Sequence, residues 1–351
     1  MSLESEKIIK NIKQKAAQMR RPLRFMELCG THSQTIAIHG LKSLVPKNIK
    51  LVTGPGCPVC VTDQSDIDVM VGLALNGIPV AVYGDTLNVP GNLMSLDEAR
   101  QKGADVNVVY DTQDAVRLQK EKPGLVFFGL GFETTTPMAA WAIKEGLVVY
   151  SAHKLFPPAM DALLSNKDLI IDGFINPGHV SAILGTEVYK KFDFPQVITG
   201  FEGMDVLKAI DMLFDQIIKK ERKVENEYVR VVKKDGNAKA RKLIFEVFEI
   251  GDAKWRGLGE IKKSGLKIRK KYQKQNAEFV HKDLIKKIKS EIKPKPSACK
   301  CGLVLQGLIE SRECPLFGKA CTPDRPMGAC MVSVEGGCNI EYRYGKRNKR
   351  K

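Results

Sequence analysis

Short apolar runs recur at residues 25–28, 49–53, 78–83, 106–110, 125–130, 147–150, 170–175 and 196–199, and most of them run into a glycine-bearing turn. Stretches of helical periodicity separate them. This alternation restricts the fold to a parallel sheet flanked by helices. In open sheets of this kind, ligands bind outside the carboxyl ends of the strands, so the turns after the runs are where function is expected.

Two of these turns carry thiols. The run at 25–28 leads into Cys29-Gly30-Thr31-His32, and the run at 49–53 leads into Gly54-Pro55-Gly56-Cys57-Pro58-Val59-Cys60. If both runs are strands of one sheet, a lone nucleophilic or metal-binding thiol faces a CxxC pair across a single crevice. Cys29 lies where a strand gives way to a helix, a position at which unpaired N–H groups and the helix dipole favour the thiolate. The nearby glycines permit close backbone approach, and the prolines fix the turn. The bland alternatives are a core cysteine at 29, half of a zinc site at 57 and 60, and capping or filling roles for His32 and His39.

Helical spacing of Ile8, Ile9, Ile12, Ala16 and Met19 predicts an amphipathic helix over 5–20, ended by Pro22. A second α/β unit is expected to begin near Gly124. It contains Gly-Phe-Glu-Thr-Thr-Thr-Pro at 131–137, the segment FINPGHVSAILG from Phe174, Gly-Phe-Glu-Gly at 200–203, and a closing helix through Val206, Leu207, Ile210, Leu213, Phe214 and Ile217. Gly129 and Gly131 are not a dinucleotide fingerprint, because no third glycine follows at the required spacing. An internal echo aligns FMELCGTHS at 25–33 with FINPGHVS at 174–181, and LVTGPG at 51–56 with VITGFE at 197–202. It suggests two similar halves. Only the first half carries cysteines at its turns; the second offers Glu133, His179 and Glu202 as candidate cleft residues. Further on, residues 228–232 and 243–248 read as a hairpin around Asp235-Gly236. A lysine-rich helical stretch follows, up to Pro294.

The expected architecture is therefore α/β: two similar parallel-sheet domains, residues 23–122 and 123–225, form a cleft. Residues 1–22 and 226–351 form a third, α+β domain. No apolar run approaches the roughly 20 residues needed to span a bilayer, and the start of the chain is charged rather than signal-like, so a cytoplasmic protein is expected. Nine cysteines in that compartment argue for metal or redox chemistry. The net charge of +16 would suit a nucleic-acid partner. Yet the lysines concentrate at 219–242, at 262–295 and in a basic tail after Tyr344, spaced like solvated helix faces with no nucleic-acid motif.

Six cysteines fall within forty residues of the C-terminal region: Cys299, Cys301, Cys314, Cys321, Cys330 and Cys338. Glycine and proline are frequent between them, as wrapping a backbone around an inorganic centre requires. The intervals match neither a zinc ribbon nor the bacterial ferredoxin run. Four thiolates suffice for one [4Fe–4S] cluster, leaving two; a zinc site is the alternative.

Taken together, CGTHS, GPGCPVC, GFETTTP, SAHK, NPGHVS, TGFEG and CPLFGKACTP…GACMVSVEGGC resemble the HypD family of hydrogenase maturation proteins. The resemblance runs from about Arg24 to Tyr344 and is weakest between Lys219 and Pro294. It implies a scaffold for assembling the Fe(CN)2(CO) unit of [NiFe] hydrogenases, with redox activity rather than independent turnover. In this family the small chaperone HypC brings iron, and HypE, charged by HypF, delivers cyanide. The position of Cys29 would give a thiolate to that iron, with His32 beside it as second ligand or proton acceptor. Cys57 and Cys60 would serve electron transfer together with a [4Fe–4S] cluster. By analogy with ferredoxin:thioredoxin reductase, Cys299, Cys314, Cys321 and Cys338 would hold the cluster, and Cys301 and Cys330 would form a dithiol pair. Two other readings compete. A free-standing iron–sulfur thiol–disulfide oxidoreductase needs no third thiol at 29, and a basic zinc protein that binds RNA would bind with a steep salt dependence.

Overall fold

A computed structural model describes residues 3–294 and 296–345; the basic tail at 346–351 lies outside them. Two parallel sheets form the frame. The first contains β1 (Leu23–Glu27), β2 (Ile49–Thr53), β7 (Gly173–Pro177), β8 (Gln196–Thr199) and β9 (Val224–Asn226), in the order β2-β1-β7-β8-β9. The second contains β3 (Val80–Tyr83), β4 (Val106–Val109), β5 (Val126–Gly129) and β6 (Val148–Ser151), in the order β4-β3-β5-β6. Both are parallel throughout, as the alternation of strands and helices requires. The architecture is thus two parallel-sheet α/β units and a third region bearing the C-terminal cysteines.

The division of the chain differs from the expected boundary at 122/123. The chain lays down β1 and β2, crosses to build the whole second sheet, and returns to complete the first with β7, β8 and β9. Strand β1 pairs with β7, Phe25 opposite Gly173 and Glu27 opposite Ile175. The internal echo therefore relates strands of one sheet, β1 to β7 and β2 to β8, rather than two domains. Hydropathy marks a strand but carries no label for its partner. The N-terminal helix Leu3–Ala17 also belongs to this unit and not to the third one. Its Ile9, Ile12 and Ala16 pack with Val206, Ile210 and Leu213 of the helix Gly203–Lys219. Lys15 fastens the two helices, with Nζ 2.8 Å from carboxylate oxygens of both Asp211 and Asp215. Each fully buried aliphatic side chain in this seam contributes roughly 1.5–3 kcal/mol.

The expected hairpin around Asp235-Gly236 is not formed. Gly236 does turn the chain, with φ of 59°, but Asn237 then accepts from the Ala240 N–H and caps a helix over Ala238–Val247. The antiparallel pair is β10 (Phe248–Trp255) and β11 (Gly259–Ile268), joined by a tip at Arg256, Gly257 and Leu258. The asparagine cap outweighed the strand-like composition of 243–248. The hairpin packs against the second sheet, where the Leu155 N–H donates to Ser264 O and the Leu266 N–H to His153 O. No helix among the described residues is long and apolar enough to cross a membrane.

One contiguous apolar cluster joins Leu28, Cys57, Cys60, Phe132, Trp255 and Met331. The two sheet units and the C-terminal segment therefore meet at the thiol-bearing turns.

Candidate functional site

In the first sheet the chain goes from β1 to β2 on one side and places β7 on the other side of β1. The crevice between β1 and β7 is thus a topological switch point, the position at which open α/β sheets leave room for a ligand. Cys29 stands at its mouth. It has extended φ and ψ and precedes the helix Gly30–Ile38. The turn after β2 lies directly against it: the Gly54 N–H donates to Glu27 O at 2.9 Å, and a Cβ at Gly56 would overlap the Cys29 backbone nitrogen. Glycine at 56 is what lets the two thiol turns touch. Cys57 and Cys60 are joined as a disulfide, with Cα atoms 5.2 Å apart.

The electrostatics around Cys29 depart from expectation. A thiolate favoured by the helix terminus was predicted; instead burial pushes the thiol up to about 12, and the carboxylate of Glu335 acts in the same direction. Hydrogen bonds with Thr31 oppose this shift, and Glu27 adds to it. Loss of solvent and two nearby carboxylates outweigh one helix end. The half-buried thiol is neutral until a cation takes the place of its proton, as happens when a metal binds.

Glu335 lies in no motif that marks it from sequence. It comes from the C-terminal segment, accepts from Thr31 Oγ1 at 2.7 Å and packs on Gly30, where a Cβ would crowd it. It is the sole charged residue from 326 to 337, the one signal that marked it. Glu27, at the end of β1, is also part of the site. Its carboxylate accepts from the Cys29 N–H at 3.1 Å and from Ser33 Oγ, and burial raises it to about 8.

His32 is fully buried, and neither ring nitrogen has a hydrogen-bond partner. Its ring stacks on Phe201 with centroids 4.9 Å apart, and Phe201 stacks in turn on His179 at 3.9 Å. The turns after β1, β7 and β8 thus each give one ring to a stack. Burial lowers His32 to about 4, so the ring is neutral near pH 7. Phe201 was not singled out from sequence, because an apolar residue after a strand carries no chemical signal. Glu202 is exposed at the N-cap of the helix Gly203–Lys219, where its backbone N–H donates to Asp205 Oδ2 at 3.2 Å.

Glu133 is buried at the second sheet's edge. Its Oε1 accepts from the Phe156 N–H at 3.0 Å, while Oε2 has no partner. The Tyr189 hydroxyl accepts from Ser181 Oγ at 3.0 Å. Burial holds the Glu133 carboxyl at about 7. A carboxyl whose folded pKa exceeds the ordinary 4.5 takes up a proton on folding, so stability declines as pH rises from about 4.5 to about 7. Glu133→Gln keeps the acceptor for Phe156 and cannot ionise. Its urea midpoint is expected to gain on that of the wild type across this window, by a stability difference on the order of 3 kcal/mol. Parallel pH profiles would refute that assignment.

All six C-terminal cysteines line one small pocket, together with Phe317, Gly328 and Met331. Cys301 lies between two others, with its thiol hydrogen-bonded to those of Cys299 and Cys330. The Cys321 sulfur accepts from the Met327 N–H at 3.3 Å, and a Cβ at Gly328 would sit 2.7 Å from Cys299 Sγ. The thiols of Cys301 and Cys338 are pushed up to about 12; Cys301 interacts first with its thiol neighbours, whereas burial dominates at Cys338. The helix Ala329–Val332 places Cys330 beside the CxxC, where Cys60 Sγ is 4.0 Å from Ala329 O. Among the described residues no three His, Cys, Asp or Glu side chains converge closely enough to hold a single metal ion.

These features define a two-sheet α/β protein whose lone thiol, CxxC disulfide and six-cysteine cavity adjoin one another. The family model described as "Hydrogenase formation hypA family" (HypD) matches residues 4–345. The chain is 43% identical over 352 residues to hydrogenase maturation factor HypD2 of Bradyrhizobium diazoefficiens, covering 94% of this chain and 91% of that one. It is 40% identical over 356 residues to hydrogenase maturation factor HypD of Escherichia coli, covering 96% and 94%. Against hydrogenase maturation factor HypD of Cupriavidus necator the identity is 41% over 346 residues, covering 92% and 89%. The chain belongs to the HypD family of hydrogenase maturation factors.

Proposed function

We propose that this protein is the scaffold on which the Fe(CN)2(CO) unit of [NiFe] hydrogenases is assembled. The observation that carries the reading is the contact of Cys29 with the turn holding Cys57 and Cys60, made through Gly56. A thiol–disulfide oxidoreductase would need the disulfide and the cysteine cavity but has no use for a third thiol on a separate strand.

In this reading the incoming iron is cargo, shared between Cys29 and a cysteine of the HypC partner, while HypE delivers cyanide made with HypF upstream. Low-spin iron carrying cyanide and CO suits soft thiolate ligands. The proton displaced from Cys29 has a buried neutral acceptor in His32, whose ring nitrogens are unpartnered. Glu27 and Glu335 offset the positive charge that the metal brings in.

The cysteine cavity fits an iron–sulfur cluster by its donor set: six thiols, a glycine that leaves room at Cys299 and a backbone N–H on the Cys321 sulfur. Cys299, Cys314, Cys321 and Cys338 would hold a [4Fe–4S] cluster, which would supply one-electron transfer. Cys301 and Cys330, whose thiols are in contact, would form the accompanying dithiol pair. A cytoplasmic setting belongs to the same reading.

The test is an infrared spectrum of the protein purified anaerobically with its HypC partner. Cyanide and CO stretches from iron are expected. An iron-loaded complex without them would leave the oxidoreductase reading ahead.

A further inference from the structure

Arg256, at the tip of the β10–β11 hairpin, has no part in the scheme above. Its backbone N–H donates to Val61 O at 2.8 Å and its Nε to Thr62 O at 2.9 Å, so the tip is fastened to the chain just after Cys60. The next residue, Gly257, has φ of 83° and lies against the residue after Cys301: a Cβ at Gly302 would be 2.9 Å from Gly257 Cα. The hairpin tip that carries Arg256 thus lies between the CxxC segment and the residue after Cys301.

Its Nη2 is buried and makes no hydrogen bond with any described residue, and no carboxylate pairs with the group among them. A guanidinium stays charged under all ordinary conditions. Leaving one buried donor unmet costs roughly 1–3 kcal/mol.

We propose that Arg256 is a positioning residue for the redox side of the crevice: it holds the chain after Cys60 against the cysteine cavity and supplies a positive charge and a free N–H to sulfur there. The inference rests on the reading that this cavity holds an iron–sulfur cluster. Positive charge and hydrogen bonds at cluster sulfurs stabilise the added electron and raise the reduction potential.

The test uses the full chain, reconstituted anaerobically with iron and sulfide, and compares wild type with Arg256→Met and Arg256→Lys. Iron and sulfide contents are expected to be alike in all three. At a fixed ambient potential near the wild-type midpoint, the reduced-to-oxidised ratio of the Met variant is expected to fall about tenfold, equivalent to about 59 mV for a one-electron couple. Arg256→Lys, which keeps the charge, is expected to lose less than half as much. If the Met variant fails to fold, Arg256→Gln, which retains a donor for Thr62 O, carries the same expectation.

A hairpin anchor alone would lower thermal stability and leave the potential unmoved, and that result overturns the proposal. Equal shifts in the Met and Lys variants overturn it as well. Normal iron and sulfide with an unmoved potential defeats the role of Arg256 only. A wild-type chain that takes up neither iron nor sulfide defeats the cluster reading and this proposal with it.

Discussion

Cys29→Ser is expected to fold normally, retain the C-terminal cluster and still bind its HypC partner, yet show no cyanide or CO bands from iron. Serine preserves size and polarity at a half-buried position, so the stability change should be within about 1 kcal/mol. What changes is the donor. A thiol, even one pushed up to about 12, gives up its proton to a soft metal, whereas an alcohol stays protonated at neutral pH. Outer-shell substitutions at metal sites alone cost about 10–100-fold, and loss of the ligand itself should exceed that. Infrared bands of the loaded complex and maturation of active hydrogenase are the two measurements. Normal maturation by the Ser variant would reduce Cys29 to a packing residue.

The second large effect is expected at the cysteine cavity. Reconstituted wild-type protein should hold about four iron and four sulfide per chain, the content of one [4Fe–4S] cluster. Cys321→Ala or Cys314→Ala should bring both to near zero and abolish the visible chromophore. Cys321 is especially informative because its sulfur already receives the Met327 N–H. Cys301→Ala should leave most of the chromophore, since Cys301 is assigned to the pair with Cys330. Bound zinc without acid-labile sulfide would sink the cluster. Loss of iron from the Cys301 variant would redraw the division of the six thiols.

The legible part of the site was the part whose chemistry is written in residue type and spacing. Cys29, Cys57 and Cys60 sit in turns rich in glycine and proline, and the structure brings them together through Gly56 as the crevice argument requires. The six later cysteines read as one group and line one cavity. Other residues resisted. Glu202 looks like an acid at a strand end but is a helix cap, and the ring stack of His32, Phe201 and His179 has no sequence signal. Both outcomes depend on where a side chain turns after its backbone is placed. The protonation of Cys29 was misread because spacing reveals a helix terminus, whereas burial and a carboxylate 306 positions along the chain do not show in it.

The sequence by itself determined the eight strands β1 to β8, most of the helices around them and the α/β class, because apolar runs and 3.6-residue hydropathy are local and most of the turns are marked by glycine or proline. It also singled out the nine cysteines as candidates for chemistry, because thiols are few. Only the tertiary structure decided which strands share a sheet. Strand β1 pairs with β7 as well as with β2, while β3 to β6, which lie between β2 and β7 in the chain, form a separate sheet, since backbone hydrogen bonds carry no residue identity. The same holds for the contacts across the crevice, where Glu335 reaches Thr31 and Arg256 reaches Val61 and Thr62. Those meetings are set by how the sheets and the C-terminal segment pack, a global balance of burial that no local pattern encodes.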